Sequence, residues 1–250
     1  MKHLVLAAAM AAAVSSLAAQ PQSQWQWPDK PKNIQALPKT VTGQDLRRIM
    51  FSYTGGLGVR CTYCHVGEEG KDFSTFDFAA DSKPAKAKAR TMITMVQTVN
   101  TQFLAKLDDG KPAGMEVSCA TCHRGVSSPL PLEDRLKKTY DQSGLDSAVR
   151  AYRALREQYY GASAYNFKEG ALLRLADKIA DDSTKFADAV AVVKLNIEQY
   201  PSFAFSFTHL ASWYEDRKDI PAAIENYQKA LALNPKNEMI KRRLDKLQGR

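Results

Sequence analysis

Two pentapeptides constrain this chain more than anything else in it: Cys61-Thr62-Tyr63-Cys64-His65 and Cys119-Ala120-Thr121-Cys122-His123. Each has the C-x-x-C-H spacing at which two thiols add to the vinyl groups of one haem and the adjacent imidazole ligates its iron. Together they use all 4 cysteines of the chain. Other uses of the thiols fit less well. Zinc ribbons separate their paired C-x-x-C by roughly 15 to 20 residues, much less than the stretch between these pairs, and zinc gives no reason for both trailing histidines. A disulfide between cysteines three apart is strained and closes almost no chain. A thioredoxin-like motif needs a strand before it, where this chain has Gly55, Gly56 and Gly58. The expectation is two covalently bound haem c groups, held by Cys61, Cys64, Cys119 and Cys122, with His65 and His123 as proximal iron ligands.

The sixth ligands are constrained by scarcity. Of 4 histidines, His3 lies in the expected signal peptide, His65 and His123 are committed, and only His209 remains, inside a helical repeat where a structural role is expected. Histidine on both faces of both irons is therefore excluded within one chain, and methionine becomes the expected distal ligand. Thr42 and Asp45 mark a helix start. Leu46, Ile49, Met50 and Tyr53 then share one helical face, and Gly55 and Gly56 stop the helix. Only a short glycine turn separates that face from Cys61, so Met50 is the candidate for the first iron. Between the motifs a helix is expected from about Ser82 and Pro84 to Leu107, ended by Asp108, Asp109 and Gly110, with Met92, Met95, Val96, Val99 and Phe103 on its apolar face. Met92 or Met95 could serve the second iron. At helical spacing such a stripe is also what ordinary core looks like. Phe73, Phe76 and Phe78 form an aromatic loop that could cover a haem or a satellite core.

The amino terminus predicts the compartment. Lys2 and His3 precede an apolar, alanine-rich run from Leu4 to Leu17, too short for a comfortable span, with small residues at Ser16, Ala18 and Ala19. Residues 1–19 are expected to be a cleaved signal peptide. The remainder would be periplasmic, soluble or peripherally attached, without a membrane span.

The segments Thr42 to Cys64, Asp77-Phe78-Ala79-Ala80-Asp81-Ser82-Lys83-Pro84, Met92-Ile93-Thr94-Met95 and Cys119 to Gly125 resemble the cytochrome c subunit of photosynthetic reaction centres, over roughly residues 35 to 126. In that family a helix before each C-x-x-C-H commonly supplies a methionine to the haem. The resemblance implies Met50 for the first haem and Met92 for the second, with Met95 as the alternative to Met92. The chain departs from the family in having two motifs rather than four, no spare histidine nearby and no lipid-accepting cysteine. It resembles half of that subunit.

After Gly125, Ser127-Ser128-Pro129-Leu130-Pro131 is a linker, and the remainder is helical in pattern. Phe207, Leu210, Ala211, Tyr214, Ala223, Tyr227, Ala230 and Pro235 follow the tetratricopeptide (TPR) arrangement of aromatic, small and proline positions. Pro201 stands one period earlier, with Ala189 and Val193 at matching positions. Helices from about Asp134 to Tyr159, with Ala151 and Leu155 inward, would cap the stack. The fold class expected is all-α: a dihaem c-type cytochrome domain over residues 20–132, followed by an α-helical TPR-like domain over 133–250.

Charge excludes one class of partner. Residues 20–130 carry 14 Lys and Arg against 10 Asp and Glu, and residues 131–250 carry 20 against 17. Neither half is strongly basic, and haem propionates would absorb much of the first excess, so nucleic acid is not an expected partner. The expected partners are redox proteins, soluble or membrane-bound, with the helical half as a docking domain or as a brace for the haem half. Three functions compete: a carrier of single electrons, without catalytic residues; a haem enzyme of peroxidase type with one open iron; and a haem-based redox sensor. The first needs a methionine on each iron and no further catalytic group.

Overall fold

A computed structural model describes residues 25–107 and 115–249. The expected signal segment, with His3, and the helix end at Asp108 to Gly110 lie outside the described residues. Among the described residues the secondary structure is helical, apart from one isolated bridge between Val66 and Asp77.

The first helix, α1, spans Gly43–Leu57 and starts at Thr42, whose backbone is extended. It runs through Gly55 and Gly56 rather than stopping there. The stop is Gly58, in the left-handed region at φ 64°. Its N–H donates to the Gly55 carbonyl at 3.3 Å and the Val59 N–H to the Thr54 carbonyl at 3.1 Å, the paired bonds of a Schellman closure. Gly56 has another task. A Cβ there would lie 2.9 Å from the Ala120 nitrogen and 3.1 Å from the Cys119 Cβ, so the missing side chain lets the second motif lie against α1.

The helix α2, Pro84–Thr98, begins at a proline pre-set for the first turn. The expected continuation to Leu107 is helical but changes winding, with a π turn over Val99–Phe103 and a 3₁₀ turn over Leu104–Leu107. Phe103 is 61% exposed and Leu107 68%, so the apolar stripe predicted for this segment does not become protein core along its whole length. The helix α3 is Cys119–His123, the second motif itself. The first motif is instead a 3₁₀ turn, Cys61–Tyr63, followed by a bond from the His65 N–H to the Cys61 carbonyl at 2.9 Å.

The carboxy-terminal half contains α4 Leu132–Tyr159, α5 Gly170–Ala180, α6 Phe186–Gln199, α7 Ala204–Asp216, α8 Ile220–Leu233 and α9 Glu238–Leu247. Helix α4 is broken at Gly144, whose φ of 76° and ψ of −178° suit only glycine. Its inward stripe is centred on Leu132, Leu136, Tyr140, Ala148 and Tyr152. Ala151 and Leu155, predicted to face inward, are partly buried at the edge of that stripe. The helix pairs α5–α6 and α7–α8 pack as successive hairpins. The small positions of the repeat pattern, Ala189, Ala211, Ala223 and Ala230, are fully buried where neighbouring helices meet. Between α6 and α7, Asn196 donates to the Ser206 hydroxyl at 2.9 Å with both side chains removed from water. No described helix is long and apolar enough to cross a membrane.

Candidate functional site

A cavity of about 910 Å³ lies in the amino-terminal half, near the upper end of the range for ligand pockets. Its wall brings together residues from both pentapeptides and from two helices. Leu46, Met50, Tyr53, Thr54 and Leu57 of α1 line it, as do Cys61, Cys64 and His65, then Met92 of α2, then Cys119 and His123 of α3. All four cysteines are free thiols. Cys122 is exposed and stands outside the wall, as does Met95. The helical stripe on α1 predicted from spacing is thus the stripe that faces the cavity, although Ile49 is not part of it.

The close approach of α1 to α3 builds this arrangement. The Gly125 N–H donates to the Gly56 carbonyl at 2.9 Å. A Cβ on Gly58 would fall 1.9 Å from the Gly125 oxygen, so a glycine is demanded there by contact as well as by conformation. Tyr53 shares the wall with Cys119, and burial, then that thiol, pushes its phenol up to about 12. Burial is also the first cause that raises the Cys64 and Cys119 thiols. Asn100, in the π turn after α2, grips the strand-like segment before the second motif: its amide donates to the Val117 carbonyl and accepts from the Val117 N–H, both at 2.9 Å. Ser118 then starts α3, its N–H donating to the Thr121 hydroxyl at 3.0 Å.

The two histidines are held differently. His123 Nδ1 lies 2.9 Å from the Val126 carbonyl. A carbonyl can only accept, so the proton is on Nδ1 and Nε2 is left free as a ligand. His65 Nδ1 is buried and has no hydrogen-bond partner. Burial first, then the Lys86 ammonium, lowers its pKa, and the Phe78 main chain beside the ring offsets this only in part. Phe78 packs edge-on to His65 with centroids 5.1 Å apart, and stacks on Phe76 at 5.3 Å. Of the predicted aromatic loop, Phe76 and Phe78 line the cavity while Phe73 buttresses them from behind.

Several wall residues were not anticipated from the sequence. Trp25 and Trp27 lie in the cavity wall, Trp25 against Phe78 at 5.5 Å, and the Trp25 Nε1 donor is buried without an acceptor. The Trp-x-Trp pair in a proline-rich stretch was the available signal. Lys86 is the other: it is only 8% exposed, and its ammonium donates to the carbonyls of Phe78, Ala79 and Ala80 at 3.0, 3.0 and 2.7 Å. Asp81 beside it accepts from Arg90 at 2.8 Å and from Asn33 at 3.0 Å, and the Arg90 guanidinium comes first among the groups that hold its carboxyl well below the usual range. The Lys83 ammonium donates to the Thr62 carbonyl inside the first motif.

These residues fit a haem. The walls are largely apolar, thiols and a free imidazole nitrogen come from the same turns, α1 and α2 each bring a methionine thioether sulfur, Met50 and Met92, and an orphaned indole N–H offers a donor to a carboxylate such as a propionate. His209, by contrast, lies on α7 with Nε2 2.8 Å from Asp177 and its ring against Trp213, away from both motifs. No cluster of His, Cys, Asp and Glu suited to a bare metal ion occurs among the described residues.

Comparison with known proteins bears on the same half. Residues 5–142 match the family described as photosynthetic reaction centre cytochrome C subunit. Cytochrome c-554 of Chloroflexus aurantiacus is 34% identical over 98 residues, 39% of this chain and 21% of that protein. The photosynthetic reaction center cytochrome c subunit of Rubrivivax gelatinosus is 32% identical over 109 residues, 38% of this chain and 28% of that protein. The chain therefore spans under a third of the length of these relatives. Among solved structures, the first TPR of Spaghetti (RPAP3) bound to an HSP90 peptide aligns with 47% of this chain and 88% of its own, at 19% identity and a TM-score of 0.31, too low to bear on how the helical half is arranged.

Proposed function

We propose that this chain, which belongs to the photosynthetic reaction centre cytochrome c subunit family, is a periplasmic dihaem c-type cytochrome that passes single electrons between protein partners. The observation that carries the reading is the convergence of both C-x-x-C-H motifs, Met50 and Met92 on one cavity. A bound haem supplies a reversible one-electron couple at its iron. The chain's own residues attach it, ligate it and exclude water from it. Cys61 and Cys64 hold the first group and Cys119 and Cys122 the second, with His65 and His123 as proximal ligands. Met50 is the sixth ligand at the first site and Met92 at the second. Met92 is preferred over Met95 because only Met92 of the two is in the wall. With methionine on each iron no position is open to a substrate, and no acid, base or nucleophile is needed. The helical half, from about residue 133 onward, is a TPR-like docking platform for a redox partner or its membrane complex.

The test is a redox titration of the matured protein and of Met50→Ala and Met92→Ala, followed optically, with carbon monoxide added to the reduced forms. The parent should bind no carbon monoxide. Each variant should open one iron to it and lower one potential. Carbon monoxide binding in the parent would favour an enzyme with an open iron, and unchanged potentials in both variants would remove the ligand assignment.

A further inference from the structure

The two proximal histidines differ in what their second nitrogen meets, and the consequence rests on the assignment of a haem to each motif. A hydrogen bond donated from Nδ1 makes the imidazole a more basic ligand and so favours the more positive iron state. His123 has that bond, to Val126 at 2.9 Å. His65 Nδ1 has no bond of that geometry, and the Phe78 carbonyl beside it, which accepts from the Lys86 ammonium at 3.0 Å, is a correspondingly weaker acceptor for the ring.

Lys86 adds a second effect of the same sign. Its ammonium is buried, fixed by three carbonyls, and belongs to the cavity wall beside His65. Arg90 is in the same wall and Lys83 is tied to the first motif through Thr62. The nearby carboxylates are Asp77, whose oxygen is taken up by the Ala79 and Ala80 N–H groups, and Asp81, which is shared between Lys86 and Arg90. Lys86, Arg90 and Lys83, the three cations that act on His65, thus face these two carboxylates, and the wall adds Lys30, Lys32 and Lys88, with Arg60 paired to Glu69. Around the second motif the flanking charges, Glu116 and Arg124, are both exposed. A fixed positive charge in a dry wall stabilises the less positive, reduced state of a metal beside it.

We infer that Lys86, acting with the unpartnered His65, makes the site at Cys61–His65 the more readily reduced of the two. Lys86 is a positioning and tuning residue here, not a ligand. The first electron to enter the protein comes to rest at that site, and the second site reports the lower potential.

The experiment begins with the mass of the matured protein. An increment of fewer than two haems overturns the dihaem reading and leaves the inference without its premise. With two haems present, a spectroelectrochemical titration between dithionite as reductant and ferricyanide as oxidant should resolve two one-electron steps. Lys86→Met should lower the upper step by a factor of ten or more in the reduction equilibrium, about 59 mV for one electron, and leave the lower step in place; Lys86→Arg should restore it. Because Lys86 also holds three carbonyls, Arg90→Gln provides an independent variant that removes charge from the same wall without touching them, and it should move the same step in the same direction. Movement of the lower step, equal movement of both, or movement of neither in the folded variants overturns the inference.

Discussion

At the scale of single residues, glycines do the least visible and most exacting work. Gly55, Gly56 and Gly58 look alike in sequence, and a cluster of glycines after an apolar stripe is a natural place to end a helix. Their contacts separate them. Gly58 ends the helix because its backbone is left-handed, and the Gly125 carbonyl stands where its Cβ would be. Gly56 keeps the helix going and admits the second motif. Gly58→Ala should therefore cost at least about 1 to 2 kcal/mol from the left-handed backbone alone, more once the collision with Gly125 is relieved by separating α1 from α3. Chemical denaturation of the matured protein measures it, and a variant as stable as the parent would contradict this account of the α1–α3 contact. No periodicity in the sequence could have distinguished the two glycines, because their roles depend on residues about 60 positions away.

At the scale of elements, the lengths of helical segments were legible, but their winding and neighbours were not. The run from Pro84 to Leu107 is helical as its pattern requires, yet it loosens to a π turn where Asn100 must reach Val117. That paired amide contact ties the end of the Met92 helix to the entry of the second motif. Asn100→Leu should lose both bonds, and the Val117 amide should exchange with solvent markedly faster than in the parent, read by hydrogen exchange. Unchanged protection would mean that another contact orders the segment. The Asp81 network joins α2 to the amino-terminal segment in a similar way, and its pH dependence has a defined sign. Its carboxyl is lowered from 3.8, first by Arg90 and then by Asn33 and Lys86. The stabilisation is thus present above about pH 4 and is lost as pH falls further toward the folded value. The amino-terminal half should loosen below pH 4, and Asp81→Asn should weaken it at neutral pH and remove that acid step. Denaturation curves at pH 3 and pH 7 check both statements.

At the scale of the whole molecule, the chain divides its burial unevenly. Most fully buried apolar side chains belong to the helical half, from Leu132 onward, whereas the amino-terminal half is organised around a cavity. The helical half is therefore where a core truncation should register most: Leu136→Ala, at a position with no exposed surface, should cost about 2 to 5 kcal/mol, measured by denaturation, with little change in either reduction potential. A shift in potential from that variant would mean that the two halves are coupled. The likeness to the cytochrome c family, the helical class and the buried alanines of the carboxy-terminal helices were all legible in the sequence itself, because thiol spacing, 3.6-residue periodicity and the need for alanine at close helix contacts are local properties of the chain. Which methionine faces the cavity, which glycine meets which carbonyl, and the unequal surroundings of His65 and His123 were decided by tertiary structure alone. Each of those depends on groups distant in sequence, and distance in sequence carries no record of direction in space.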